Sequence, residues 1–185
     1  MAWTTHLRQS LEFALVAGIA AVVRLLPMPV VRSCGAALGR AAYHVDPFHR
    51  RVALDNLAHA FPTKTDAERR ALTKAMFAHF GSLMLELIRF GALSERQMLA
   101  LVESDGDERA RAAYEKGRGV LFFTGHFGYW EMQAITQPLR VRPVSVLARP
   151  LDNRALNAML ESIRTRTGNS VIYRQGAMRK VLREL

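Results

Sequence analysis

Leu11 to Leu26 is an almost unbroken apolar run, interrupted by Glu12 near its start and Arg24 near its end. A clean membrane span needs about 20 apolar residues, so this run sits at the margin of spanning. Arg8 before it and Arg24 within it suit a helix anchored at an interface, or a short span with its charges among headgroups. A buried core helix and a cleaved signal peptide are the competing readings. No A-x-A-type cleavage site precedes Pro27-Met28-Pro29, and helical patterning resumes at once. Residues 1–27 are therefore expected to form a retained hydrophobic membrane-anchor helix.

The pattern stays helical as far as residue 116. Residues 30–43 read as a small-residue helix in which Gly35 and Gly39 allow close packing, and Asp46-Pro47 marks a turn. Val52, Leu54, Leu57 and Phe61 stripe a short helix that Pro62 ends. Thr65-Asp66-Ala67-Glu68 is a capping box opening the longest amphipathic helix, with Leu72, Met76, Leu83, Leu87 and Phe90 as its expected core face. A second capping box, Ser94 to Gln97, opens a helix running to about Glu103. A charged helix over 107–116 follows, stopped by Gly117.

The periodicity then changes. Val120-Leu121-Phe122-Phe123-Thr124 has the length and composition of a buried strand. The following stretches predict a helix over 128–137, a strand over 143–148, a helix over 152–167 and a strand over 170–173. This βαβαβ alternation implies a parallel sheet covered by helices, an α/β fold. Three regions result: the anchor over 1–27, a helical region over 28–116, and the start of an α/β domain over 117–185. Ala177 to Leu185 reads as a helix cut in mid-course, so the chain is expected to be a portion of a longer protein.

Charge narrows the partners. Twenty-six Lys and Arg against 16 Asp and Glu leave a formal net charge of +10. That excess favours an anionic contact: nucleic acid, anionic lipid or a phosphorylated substrate. The arginines do not interleave with aromatics in any nucleic-acid recognition pattern, which leaves a basic nucleic-acid-binding module as the weaker alternative. The single cysteine, Cys34, lies among small apolar residues and reads as a buried small hydrophobe. No histidine shows metal-ligand spacing, so no metal is expected. Neither a phosphate-binding glycine loop nor a nucleophilic serine elbow is present in the sequence.

The candidate chemistry lies in Gly125-His126-Phe127-Gly128-Tyr129-Trp130-Glu131. Ligands of open α/β sheets gather beyond the carboxyl ends of the strands, and His126 follows the predicted strand. Residues five apart on one helix diverge by about 140°. The pair therefore works best with His126 in the turn and Glu131 in the first turns of the next helix. Glu131 could then orient the imidazole while the other ring nitrogen acts as a base; a histidine capping a helix is the competing reading. Arg149-Pro150-Leu151-Asp152-Asn153 follows the next predicted strand and should lie on the same edge. Arg149 is placed to meet an anion, whereas capping of the next helix is the competing reading for Asp152 and Asn153. Arg154, Arg164, Arg166 and Arg174 crowd the same region.

These residues resemble a known family. The Gly-His-Phe-Gly-Tyr-Trp-Glu stretch is similar to the H-x-x-x-x-D/E motif of glycerolipid acyltransferases, and more closely to the bacterial lipid A biosynthesis acyltransferases. Asp55-Asn56-Leu57 with Phe61-Pro62, the Arg149 to Asn153 block, and Arg164 to Gly168 before Val171-Ile172 resemble further blocks of that family, in the same order. The resemblance implies an enzyme of the bacterial inner membrane whose catalytic part faces the cytoplasm. It implies transfer of a fatty acyl chain from acyl carrier protein to a hydroxyl of a phosphorylated lipid A precursor, without a cofactor. It assigns His126 as general base and Glu131 as its orienting partner, with Arg149, Asn153 and Arg166 as substrate-binding residues. It also implies that this is the N-terminal portion of such an enzyme. Another glycolipid or aminolipid acceptor, or an inactive membrane-associated fragment, remains an alternative.

Overall fold

The computed structural model describes residues 2–174 and 176–185. The chain forms two compact units, one of residues 20–89 and one of residues 1–19 with 90–185.

Residues 20–89 are helical. They hold the end of α1 (Ala2–Val23), then α2 (Met28–Val45), α3 (Pro47–Ala60) and all but the last residue of α4 (Asp66–Phe90). Prolines fix the starts: Pro29 lies in the first turn of α2 and Pro47 opens α3. Asp46 caps α3 by accepting from the His49 amide at 3.0 Å. The capping box forms at α4, where the Thr65 amide donates to Glu68 Oε2 at 2.7 Å and the Glu68 amide to Thr65 Oγ1 at 3.3 Å. Gly35 and Gly39 of α2 meet Gly81 of α4, and a Cβ on Gly35 would lie 2.5 Å from the Gly81 carbonyl oxygen. Backbones that close leave little room for large side chains between them. The expected leucine stripe of α4 is accordingly only part of the story: Leu72 is exposed, while Thr73, Leu85, Glu86 and Phe90 are buried. Buried Glu86 is held by Arg32 of α2 at 3.2 Å.

Cys34 is exposed, contrary to the expectation of a buried thiol. Its neighbour Gly35 is the residue turned toward α4, and one residue of helix rotates Cys34 about 100° away from that contact.

The second unit contains the start of α1, then α5 (Glu95–Leu99), α6 (Asp107–Glu115), α7 (Trp130–Arg140), β1 (Ser145–Ala148), α8 (Arg154–Thr165), β2 (Ser170–Tyr173) and α9 (Ala177–Glu184). The second capping box forms at α5, Ser94 with Gln97, but that helix stops short of the expected Glu103. β1 and β2 pair in parallel, Ser145 opposite Ser170 and Ala148 opposite Tyr173, with α8 as the connection. Phe90, Met98, Ile135, Ile163 and Ile172 form the buried apolar core. Asn169 ties the sheet to α7, accepting from the Val144 amide at 3.0 Å and donating to the Ala134 carbonyl at 2.7 Å.

The fold is thus a mostly helical α/β arrangement with a small parallel sheet of two strands. The strand expected over 119–124 does not form, and the full βαβαβ sheet is corrected to βαβ. Residues 119–125 carry no regular structure, and Leu121, Phe122 and Phe123 are exposed. An apolar run becomes a strand only where a neighbouring strand takes up its amides and carbonyls. Among the described residues, β1 and β2 pair only with each other.

Among the described residues, two helical stretches, Thr5–Val23 and Asp66–Phe90, are long and apolar enough to cross a membrane by length and composition. Leu7, Leu11, Leu15 and Val22 of α1 are exposed. The sequence reading singled out only the first of these stretches.

Candidate functional site

Glu131 lies in the first turn of α7, where the helix dipole favours a carboxylate. Arg164, in the last turn of α8, closes on it as a fork. Arg164 Nε donates to Glu131 Oε2 at 2.9 Å, and Arg164 Nη2 donates to Oε1. Both side chains are largely buried, 16% and 14% exposed. A bidentate guanidinium–carboxylate pair combines charge with two parallel hydrogen bonds. The bonds to Glu131 push the Arg164 guanidinium above its ordinary value, so it stays charged.

His126 sits in the bend that leads into α7 and is exposed. Its ring lies against Trp130, with centroids 4.8 Å apart and planes tilted by 58°. Gly128 in the same turn has φ +59°, a conformation that favours glycine and lets the chain reverse before the helix. His126 and Glu131 are therefore carried by one turn and one helix start. No hydrogen bond joins them among the described residues; both oxygens of Glu131 accept from Arg164. A carboxylate offers about four acceptor sites, so that pairing leaves capacity for an imidazole N–H.

Arg149 follows β1 at its carboxyl end, and its side chain is 83% exposed, 3.5 Å from Asp152. Its charge faces solvent with one weakly held partner.

Asn153 has a different place. It is buried and caps α8, accepting from the Ala155 amide at 3.1 Å and the Leu156 amide at 3.3 Å. Its amide donates to the Gln9 carbonyl at 2.8 Å and to Glu12 Oε2 at 3.1 Å, which fastens the α8 start to α1. Arg166 caps the end of α8 and donates to the Gly91 carbonyl. The structure spends the polar atoms of Asn153, and this donor of Arg166, on the scaffold.

The Arg164 pairing was not legible in the sequence, where this arginine read as one of a crowded basic group. Asn157, Glu161 and Tyr173 were missed altogether. Asn157 Nδ2 donates to the Tyr173 hydroxyl at 2.6 Å, and that hydroxyl donates to Glu161 Oε2 at 2.6 Å. The available signal was a polar stripe on α8, Asn157, Glu161 and Arg164 at helical spacing. Among the described residues no three His, Cys, Asp or Glu side chains gather as a metal site.

The fold defines a mostly helical α/β protein, with Arg149 following β1 and Tyr173 ending β2 at the carboxyl ends of the parallel strands. The particular family follows from comparison. The chain belongs to the family described as bacterial lipid A biosynthesis acyltransferase, which it matches over residues 2–185. It is similar to a lipid A biosynthesis lauroyltransferase of Escherichia coli (strain K12), 26% identical over 158 residues. That match covers 85% of this chain and 51% of the relative, so the chain spans about half the relative's length. No solved structure matches.

Proposed function

We propose that this chain serves acyl transfer from acyl carrier protein to a hydroxyl of a phosphorylated lipid A precursor, at the cytoplasmic face of the bacterial inner membrane. The family match carries the reading, and the seating of His126 and Glu131 around one helix start supports it. His126 takes the proton from the acceptor hydroxyl as its oxygen attacks the thioester carbonyl carbon. The carbon–sulfur bond then breaks, the proton passes from the imidazolium to the departing sulfur, and an ester remains. Glu131, held by Arg164, orients the imidazole and offsets its positive charge. Arg149 contacts the acceptor phosphate through its exposed guanidinium. No cofactor enters these steps; the acyl-carrier thioester is the donor substrate. The exposed apolar residues of α1 support a site at the lipid boundary, where the acceptor and the acyl chain would meet it.

The test is His126→Ala in membranes carrying the protein, assayed with an acyl-carrier thioester and a lipid A precursor. Loss of a general base lowers turnover by about 10²-fold or more. Near-normal turnover would overturn the assignment.

A further inference from the structure

One face of α8 carries three polar side chains, each engaged with a different part of the site. Asn157, Glu161 and Arg164 follow at i, i+4 and i+7, so they share a face. Arg164 holds Glu131. Asn157 Oδ1 accepts from the Leu151 amide at 2.9 Å, inside the loop that presents Arg149. Glu161 Oε2 accepts from the hydroxyl of Tyr173, the last residue of β2.

The hydrogen bonds run in one direction. A carboxylate only accepts, so the single phenolic proton of Tyr173 is committed to Glu161. The lone pairs of that oxygen then face the Asn157 amide. This fixes which end of Asn157 points to Tyr173 and leaves its oxygen for Leu151. Removing the hydroxyl would free Asn157 to turn, and the Leu151 amide would lose a partner of defined position. On its other side the loop is held by Gln9, which donates to the Asp152 carbonyl at 3.1 Å. Between these two points lies the stretch that sets the direction of Arg149.

We propose that Tyr173 is a positioning residue whose hydroxyl, held between Asn157 and Glu161, fixes the 149–152 loop and so sets where Arg149 meets an anionic acceptor. The proposal rests on Arg149 being the phosphate contact of the reaction above. Tyr173 itself touches neither donor nor acceptor. Its effect belongs in acceptor recognition and not in the proton transfer at His126.

The test compares wild type, Tyr173→Phe, Asn157→Ala and Arg149→Ala in membranes, with a phosphorylated lipid acceptor and its dephosphorylated counterpart. One neutral hydrogen bond corresponds to roughly a 3- to 10-fold change. Tyr173→Phe should raise KM for the phosphorylated acceptor by about that factor, with kcat within about twofold and the dephosphorylated acceptor unaffected. Asn157→Ala should match it, and it carries the test if the phenylalanine variant does not fold. Faster hydrogen exchange at the Leu151 amide should accompany both. An unchanged Leu151 exchange rate, or equal losses on the two acceptors, would overturn the proposal. If Arg149→Ala leaves KM for the phosphorylated acceptor unchanged while Leu151 exchange still rises, the phosphate reading of Arg149 fails and the proposal falls with it, although the loop clamp stands.

Discussion

Glu131 and Arg164, thirty-three positions apart, meet as a two-pronged pair that joins the start of α7 to the end of α8. The pair is largely buried, so its parts are not equivalent to surface charges. Removing one partner strands the other charge in a poorly solvated place, which costs more than the pair contributes as a whole. Arg164→Ala should destabilise the fold by about 3 kcal/mol. Arg164→Lys keeps the charge but loses the fork, and should fall between that variant and wild type. Urea unfolding in mild detergent, read by circular dichroism, measures both.

His126 lies at the opposite extreme. Exposed, with Trp130 as its ring contact, it contributes little to packing. His126→Ala should leave the unfolding free energy within about 0.5 kcal/mol of wild type while abolishing most transfer. A large loss of stability would mean that the activity assay was reporting unfolding.

Asn153 should behave as a scaffold residue. Asn153→Ala removes the α8 cap together with two donors to α1 and should cost about 1–2 kcal/mol. Asn153→Asp keeps the capping oxygen but sets a second carboxylate beside Glu12. Its deficit should shrink as pH falls through the carboxylate range, which a pH series of thermal melts would show.

Tyr173 predicts an alkaline signature. Burial first, and then the hydrogen bond to Glu161, push its phenol above the ordinary value of 10.0. The folded state therefore holds this proton more tightly than the unfolded chain. The stabilisation is complete below the unfolded value and disappears as pH rises through the folded one. Unfolding midpoints measured between about pH 9 and 12 should decline less steeply for Tyr173→Phe than for wild type.

Close helix packing makes a final prediction. The Cβ of Gly35→Ala would fall 2.5 Å from the Gly81 carbonyl oxygen and 2.6 Å from Ser82 Cα, both backbone atoms that cannot swing aside. Overpacking of this kind costs about 1–3 kcal/mol. Ala at Gly18, where a Cβ would meet nothing within 4 Å, is the control. Melting curves of the two variants should separate clearly.

The sequence by itself determined the local features. Prolines at 29 and 47, the capping boxes at Thr65 and Ser94, and the glycine after α6 act through neighbouring backbone, so short-range chemistry placed those helices. The α7–β1–α8–β2 alternation was legible for the same reason, as was the family, whose motif blocks lie along the chain. Tertiary structure decided what depends on distant partners. Val120 to Thr124 has a strand's composition, but a strand exists only where another strand accepts its hydrogen bonds, and none does here among the described residues. Cys34 looked buried by its neighbours' size, yet the side of α2 that meets α4 was set by Gly35. Arg164 looked like one solvated arginine of several, and only the approach of α8 to α7 revealed its partner. Charge pairing acts through space, and the chain's order carries no record of it until the helices pack.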